Sequence, residues 1–230
     1  MKGNGWQVLA GAATVLATFL ATSLLVVPPA VAQSTDEWKC TARTELPLDQ
    51  RISSCTSLID SGKYGLSGAM RAYFHRARAY LAKDDTDSAI ADYTELIKLS
   101  PNNQFAYACR GFAYNKQGDF DHAIADYTQV IEFNPRDAHA YAGRAHAYKA
   151  KGDFNRAVAD YDQVIQLAPK AAKIFRARGI TNLQAGSLPK SLEDLKQSSA
   201  LDPKDSYTSL WLDIVATCRA ASPRQRHNST

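Results

Sequence analysis

QFAYACRGFAYNKQGDFDHAIADYTQVIEFNP, residues 104–135, decides the fold because it recurs along the chain. Moved by 34 residues, the stretch lands on related residues in both directions. Pro101, Pro135, Pro169 and Pro203 keep that interval, as do Tyr73, Tyr107, Tyr141 and the similar Phe175. Arg76, Arg110, Arg144 and Arg178 recur in step with them, and so do Asp92, Asp126, Asp160 and Asp194. A 34-residue period built from these residue types marks stacked helix–turn–helix units, none of which can bury its apolar face alone. The fold class is therefore all-α, a solenoid.

The punctuation within each unit says where its helices stop. Gly118–Asp119 and Gly152–Asp153 supply a left-handed exit from one helix and an N-cap for the next. Pro at each unit boundary prevents the second helix from continuing. Ala123 and Ala157 are small where two helices approach, and Tyr107, Tyr114, Tyr127, Tyr141, Tyr148 and Tyr161 are large enough to fill between them. The units run over about 70–103, 104–137, 138–171 and 172–205, within a repeat domain of 69–205. The first lacks the turn glycine and uses Lys83–Asp84–Asp85 instead; its first helix is expected over about 69–82. The fourth is degraded, with Asn182, Ser191 and Leu195 at the tyrosine, alanine and second tyrosine positions.

Both flanks read as covers for the ends. Residues 33–68 begin with a polar, extended segment to Thr44, followed by an amphipathic half-repeat helix over 48–59 in which Asp49 is placed to cap the start. Tyr207, Leu210, Trp211, Ile214 and Val215 form an amphipathic stripe in a capping helix at 206–221, and 222–230 is a polar, frayed tail.

Met1–Ala32 has the anatomy of an export signal: Lys2, an apolar run from Val8 to Val27, Pro28–Pro29, then Ala30–Val31–Ala32 as a small-x-small cleavage site. Cleavage after Ala32 would send the mature chain to the periplasm or beyond; an uncleaved N-terminal membrane anchor is the alternative. Export makes a disulfide plausible, and Cys40 with Cys55 is the expected pair, since Cys109 and Cys218 lie in different units. The opposite expectation is four reduced thiols.

With their register, these residues resemble the tetratricopeptide-repeat family over about Ala69–Asp205, and the N-terminal stretch and Leu210–Trp211–Leu212 resemble exported bacterial members. The resemblance implies a right-handed superhelix whose first helices line a concave peptide groove. One departure is consistent: Arg76, Arg110, Arg144 and Arg178 stand where the family more often has leucine. Each has an Asp 16 residues later, so internal Arg–Asp pairs are expected rather than an anion-binding ladder. A second departure concerns the family's clamp of Lys, Asn and Arg around a terminal carboxylate: Phe74, Arg78, Cys109, His139 and Gly143 occupy its places.

Carried over by register, the groove consists of Arg71, Phe74, His75 and Arg78, then Phe105, Phe112, Asn115 and Lys116, then His139, His146 and Lys149, then Lys173 and Arg176, with Ile180 and Leu183 beside them. These positions hold no Asp or Glu, whereas the second helices carry most of the acids, so an acidic or carboxylate-bearing peptide is the expected ligand. No phosphate-cradling glycine loop, GxSxG elbow or HExxH pair is present, so no catalytic residue or cofactor is assigned. His139, His146 and His75 lack a convincing further ligand, and no metal is expected. A net charge of +4 is too mild to call for nucleic acid, and 45% apolar content fits a folded chain. The function expected is a non-catalytic, protein-binding adaptor of the bacterial envelope, membrane-associated only through its export signal; the alternative is a self-associating module.

Overall fold

The computed structural model describes residues 35–41 and 46–221. The expected export signal, its cleavage site and the tail from 222 lie outside the described residues. Among those described there are eleven helices and no strand: α1 Thr35–Thr41, α2 Leu48–Ser61, α3 Gly65–Ala82, α4 Thr86–Leu99, α5 Gln104–Gln117, α6 Phe120–Phe133, α7 Ala138–Ala150, α8 Phe154–Leu167, α9 Ala172–Gln184, α10 Leu188–Leu201 and α11 Ser206–Ala221. Helices α3 to α10 form four antiparallel pairs, and each second helix then packs on the first helix of the following pair. This is the solenoid that the 34-residue period requires.

The caps fall where the sequence places them. Asp85, Asp119 and Asp153 accept hydrogen bonds from the backbone amides of Ser88, His122 and Arg156 at the starts of α4, α6 and α8. Asn103 and Asp137 do the same for α5 and α7. Each such cap stabilises its helix by about 1 kcal/mol. Gly118 leaves α5 with φ 88°, and in the first unit Asp84 adopts the same left-handed region at φ 63°. An Asp tolerates that conformation better than most side chains.

Three expectations at the N-terminal end need correction. Residues 33–44 are not extended throughout, because Thr35–Thr41 is helical. A seven-residue helix is too short to persist alone; here a Cys40–Cys55 bond, with both cysteines fully buried, fastens it to α2. Closing a loop of this size stabilises by about 3 kcal/mol in the chain-entropy view. Pro47, not Asp49, stands at the N-cap of α2, and Asp49 pairs instead with Lys83. Helix α3 begins at Gly65, a turn earlier than the repeat boundary implies.

Between helices the core alternates alanine with tyrosine. Tyr93 and Leu96 bury against Ala77, Ala89 and Ala106; Tyr127 and Val130 against Ala123, Ala140 and Ala147; Tyr161 against Ala145 and Ala157. One close fit is at Gly143, where an added Cβ would stand 2.3 Å from the Tyr127 ring.

Running through this core is a ladder of charge. Arg76 donates to both oxygens of Asp92 at 2.8 and 2.7 Å. Arg110–Asp126 and Arg144–Asp160 repeat the fork at 2.8 Å for every bond, and Arg178–Asp194 closes it at 3.0 and 2.5 Å. The remaining guanidinium nitrogen reaches back into the preceding helix pair, to Thr56, Thr94 and Thr128 Oγ1 at 2.9 to 3.0 Å and, in the last rung, to Asp162 at 2.6 Å. Rings at the flanking turns cover the cations: Tyr107 and Tyr114 for Arg110, Tyr141 and Tyr148 for Arg144, each 5.6 to 5.9 Å from ring centroid to guanidinium carbon. The recurring arginines are internal ties.

The degraded fourth unit is polar but largely satisfied. Asn182 replaces the covering tyrosine and donates to Asp194 Oδ2 at 3.0 Å. Buried Ser198 bonds Ala172 O at 2.9 Å and Thr208 at 3.1 Å, stitching α10 to α9 and α11.

Removing one partner of a rung strands the other. Arg144→Ala leaves Asp160 buried without its fork and is expected to cost about 3 kcal/mol in urea unfolding. Replacing both residues by apolar ones of similar volume is expected to cost much less.

Candidate groove on the first-helix layer

The first helices of the pairs, α3, α5, α7 and α9, contain no Asp or Glu. Within their layer α5 meets α7, and α9 meets α11, directly, whereas no two second helices make comparable contact. The first helices therefore lie on the tighter, concave side. Residues at matching register along them, such as Arg71, Phe105, His139, Lys173 and Tyr207, form rows across that side.

The rows differ in what their charges do. Arg71 is held by Glu37 of α1 at 2.7 Å. Lys116 pairs with Asp84 and donates to Leu81 O, which ties it to the turn edge of the preceding unit. Arg176 pairs with Asp205, whose oxygens also cap α11 through Tyr207 N and the Thr208 hydroxyl, and lies 5.8 Å from the Tyr207 ring centroid. The Thr208 bond first, and Arg176 after it, hold the Asp205 carboxyl below the usual carboxylate range. Three of the cations that the sequence places in the groove are thus already neutralised by acids of the same chain.

What remains uncompensated is confined. Lys149 and Lys173 make no ion pair with any described residue. Lys149 is half-buried, and desolvation lowers its ammonium below the ordinary lysine value. His146, one turn before it, is lowered from 6.5 by partial burial and then by the Lys149 charge, though its ring keeps an exposed edge. His139 is exposed on the same helix, one further turn pair away. Arg78 lies 5.7 Å from the Phe74 centroid and stacks on that ring.

The apolar positions gather at the other end. Phe105 and Phe112 are 68% and 55% exposed and share one face of α5. Phe105 joins Phe74, Met70, Leu96, Arg71 and Asn103 around an open pocket of about 260 Å³. Phe74 is itself fixed by edge contacts with His75 at 5.5 Å and Tyr93 at 6.4 Å. Asn115 donates to Gly143 O at 3.0 Å while its Oδ1 is buried without a partner, so this side chain braces α5 against α7.

Three residues of the pocket escaped the sequence reading. Met70, Leu96 and Asn103 complete the pocket, although Met70 and Asn103 look like ordinary helix-end residues. Tyr207, Leu210 and Ile214, expected on the apolar stripe of the capping helix, are instead exposed on α11 and continue the groove register past the fourth unit. Cys109, which the sequence leaves as a buried free thiol outside the Cys40–Cys55 pair, is free and half-buried, and burial pushes its pKa up. Among the described residues no group of three or more His, Cys, Asp or Glu is placed to hold a metal, and His75, His139 and His146 do not converge.

Comparison with known proteins fits this geometry. The family model described as tetratricopeptide repeat matches residues 105–137, and a second, described as TPR repeat, matches 77–118 and 145–186. The chain is a tetratricopeptide-repeat protein. Similar solved structures include MamA from Desulfovibrio magneticus RS-1, with 17% identity, a TM-score of 0.63 and coverage of 69% of this chain and 88% of that one. YrrB, described as a TPR protein with an unusual peptide-binding site, shows 17% identity, a TM-score of 0.63 and coverage of 73% and 84%. The first TPR of Spaghetti (RPAP3), bound to the HSP90 peptide SRMEEVD, shows 24% identity, a TM-score of 0.50 and coverage of 51% and 94%. At these identities the likeness is one of fold. No curated protein sequence matches the chain.

Depressed protonation of His146 has a sign that can be measured. The folded chain favours neutral imidazole, so the unfolded chain takes the proton first as pH falls below 6.5, and this residue's contribution to stability declines there. An NMR titration is expected to place its midpoint below 6.5, and His146→Gln to flatten the corresponding part of the stability–pH curve.

Proposed function

We propose that the protein is a non-catalytic binding module that holds an extended, acidic segment of another protein along its first-helix layer. The observation that carries this reading is the acid-free layer containing two lysines without internal partners, Lys149 and Lys173. Arg78, which has no acidic partner among the described residues, adds to its positive character. An anionic segment entering there gains the Coulomb attraction that the internal acids already give Arg71, Lys116 and Arg176. Peptide recognition by the neighbours YrrB and Spaghetti supports a peptide as the class of ligand.

The placement we infer is the bacterial envelope. It rests on the signal-like residues 1–32 and agrees with the Cys40–Cys55 bond, which suits an oxidising compartment. Among the described residues no helix is long and apolar enough to cross a membrane. Mass spectrometry of the exported chain is expected to find Gln33 as its first residue; retention of Met1 would identify an anchor instead.

Crosslinking in cells is expected to recover an envelope protein through an acidic segment, with capture lost in Lys149→Glu/Lys173→Glu at unchanged melting temperature. Undiminished capture by that variant would exclude the electrostatic reading. Exposure of Tyr207, Leu210 and Ile214 on α11 favours a second reading, self-association through the terminal helix. A stable dimer in sedimentation, lost in Leu210→Glu, would establish it.

A further inference from the structure

The groove is not uniformly cationic, and its division points to the composition of the ligand. Counted with their partners, two of the three groove cations of the first two units are paired within the chain, Arg71 with Glu37 and Lys116 with Asp84, and the third, Arg78, keeps its charge but lies stacked on Phe74. What those units expose is aromatic, Phe105 and Phe112, beside the pocket floored by Met70, Phe74 and Leu96. The third unit and the start of the fourth invert this pattern. There the unpaired groups are Lys149 of α7 and Lys173 of α9, with His139 and His146 on the same helix as Lys149 and no exposed aromatic ring. A uniform polyanion would leave the exposed phenyl rings in water, and a purely apolar segment would leave the lysines without counter-charge.

We propose that the groove has two stations, an apolar one in units one and two and an anionic one in units three and four. Its ligand is a single linear segment carrying a large apolar side chain and, further along, a cluster of carboxylate or phosphate groups. This rests on the peptide-groove reading above and adds the order of its chemistry. Phe74 and Phe105 sandwich the apolar side chain, with the Arg71–Glu37 pair at the pocket rim closing it off from an acid. Lys149 and Lys173 bind the anions, and partial burial of Lys149 makes an unpaired ammonium there costly until an anion arrives. Packed helix axes lie about 10 Å apart, as α5 and α7 do in direct contact, so two steps along the first-helix layer, from Phe105 to Lys173 in one register row, span on the order of 20 Å. An extended chain spans that distance with about six residues.

The test uses synthetic fluorescent dodecapeptides and the chain from Gln33 to Thr230, followed by anisotropy. One peptide carries Phe six residues from a Glu-Glu-Glu cluster; a second has Ala for that Phe; a third has phosphoserines for the glutamates; a fourth has Gln for them. Binding of the first is expected to weaken about tenfold on Phe105→Ala and about tenfold on Lys149→Ala/Lys173→Ala. The Ala peptide is expected to lose its sensitivity to Phe105→Ala and keep its sensitivity to the lysine substitutions. The Gln peptide is expected to show the reverse, together with binding that no longer weakens with salt. Tighter binding of the phosphoserine peptide than of the glutamate peptide assigns phosphate as the preferred anion, and weaker binding assigns carboxylate. Binding of the first peptide with equal loss of both sensitivities in the Ala peptide would overturn the two-station division while leaving the groove in place. No binding of any peptide, with folding intact by circular dichroism, would overturn the groove reading and this inference together.

Discussion

Each rung of the arginine ladder is shared by three helices. The fork to aspartate joins the two helices of one unit, and the third bond, to Thr56, Thr94, Thr128 or Asp162, crosses to the helix before. A leucine at the same place would fill space but fix neither angle nor register. The guanidinium fixes both, because its donors lie in one plane and each meets a defined acceptor. The cost is desolvation, which these pairs offset with full hydrogen bonding and flanking rings rather than with Coulomb attraction alone. Stacking of alanine against tyrosine supplies the apolar stabilisation; the ladder determines which stacking results.

That division of labour also explains what the concave side is free to do. With the recurring arginines committed inward, the outward residues of the first helices need not repeat, and they do not: Arg71, Phe105, His139 and Lys173 occupy one register row, Arg78, Phe112, His146 and Ile180 another. A scaffold whose order depends on its inner rungs leaves its surface rows free to differ from unit to unit. The candidate groove is made of those differences.

Much of this was legible in the sequence, and the limits have physical causes. The period showed because spacing in a solenoid is set by geometry, so Pro101, Pro135, Pro169 and Pro203 keep step whatever their neighbours do. The Arg–Asp separation of 16 residues was readable for the same reason. The threonine acceptors left a signal too, since Thr94, Thr128 and Asp162 recur at the repeat interval. Helix α1 left none, because seven residues are helical here through a disulfide and burial rather than through propensity. The groove charges misled in part. A sequence counts cations but not their partners, and Lys116 and Arg176 meet acids 32 and 29 residues away, separations that follow no repeat rule.

The rungs bear on how long such an array can be. Thr94 and Thr128 offer the same hydroxyl from the same position, and each lies 16 residues before the arginine that uses it. Excising residues 104–137 would bring Thr94 to that distance from Arg144 and leave every inner rung whole. Duplicating the segment would add a rung without disturbing its neighbours. The ends are not interchangeable in this way, since Thr56 stands 20 residues from Arg76 and the last rung uses a carboxylate. Array length is therefore a free variable of the interior, and a lineage can lengthen or shorten its binding surface by whole units while the terminal covers stay as they are.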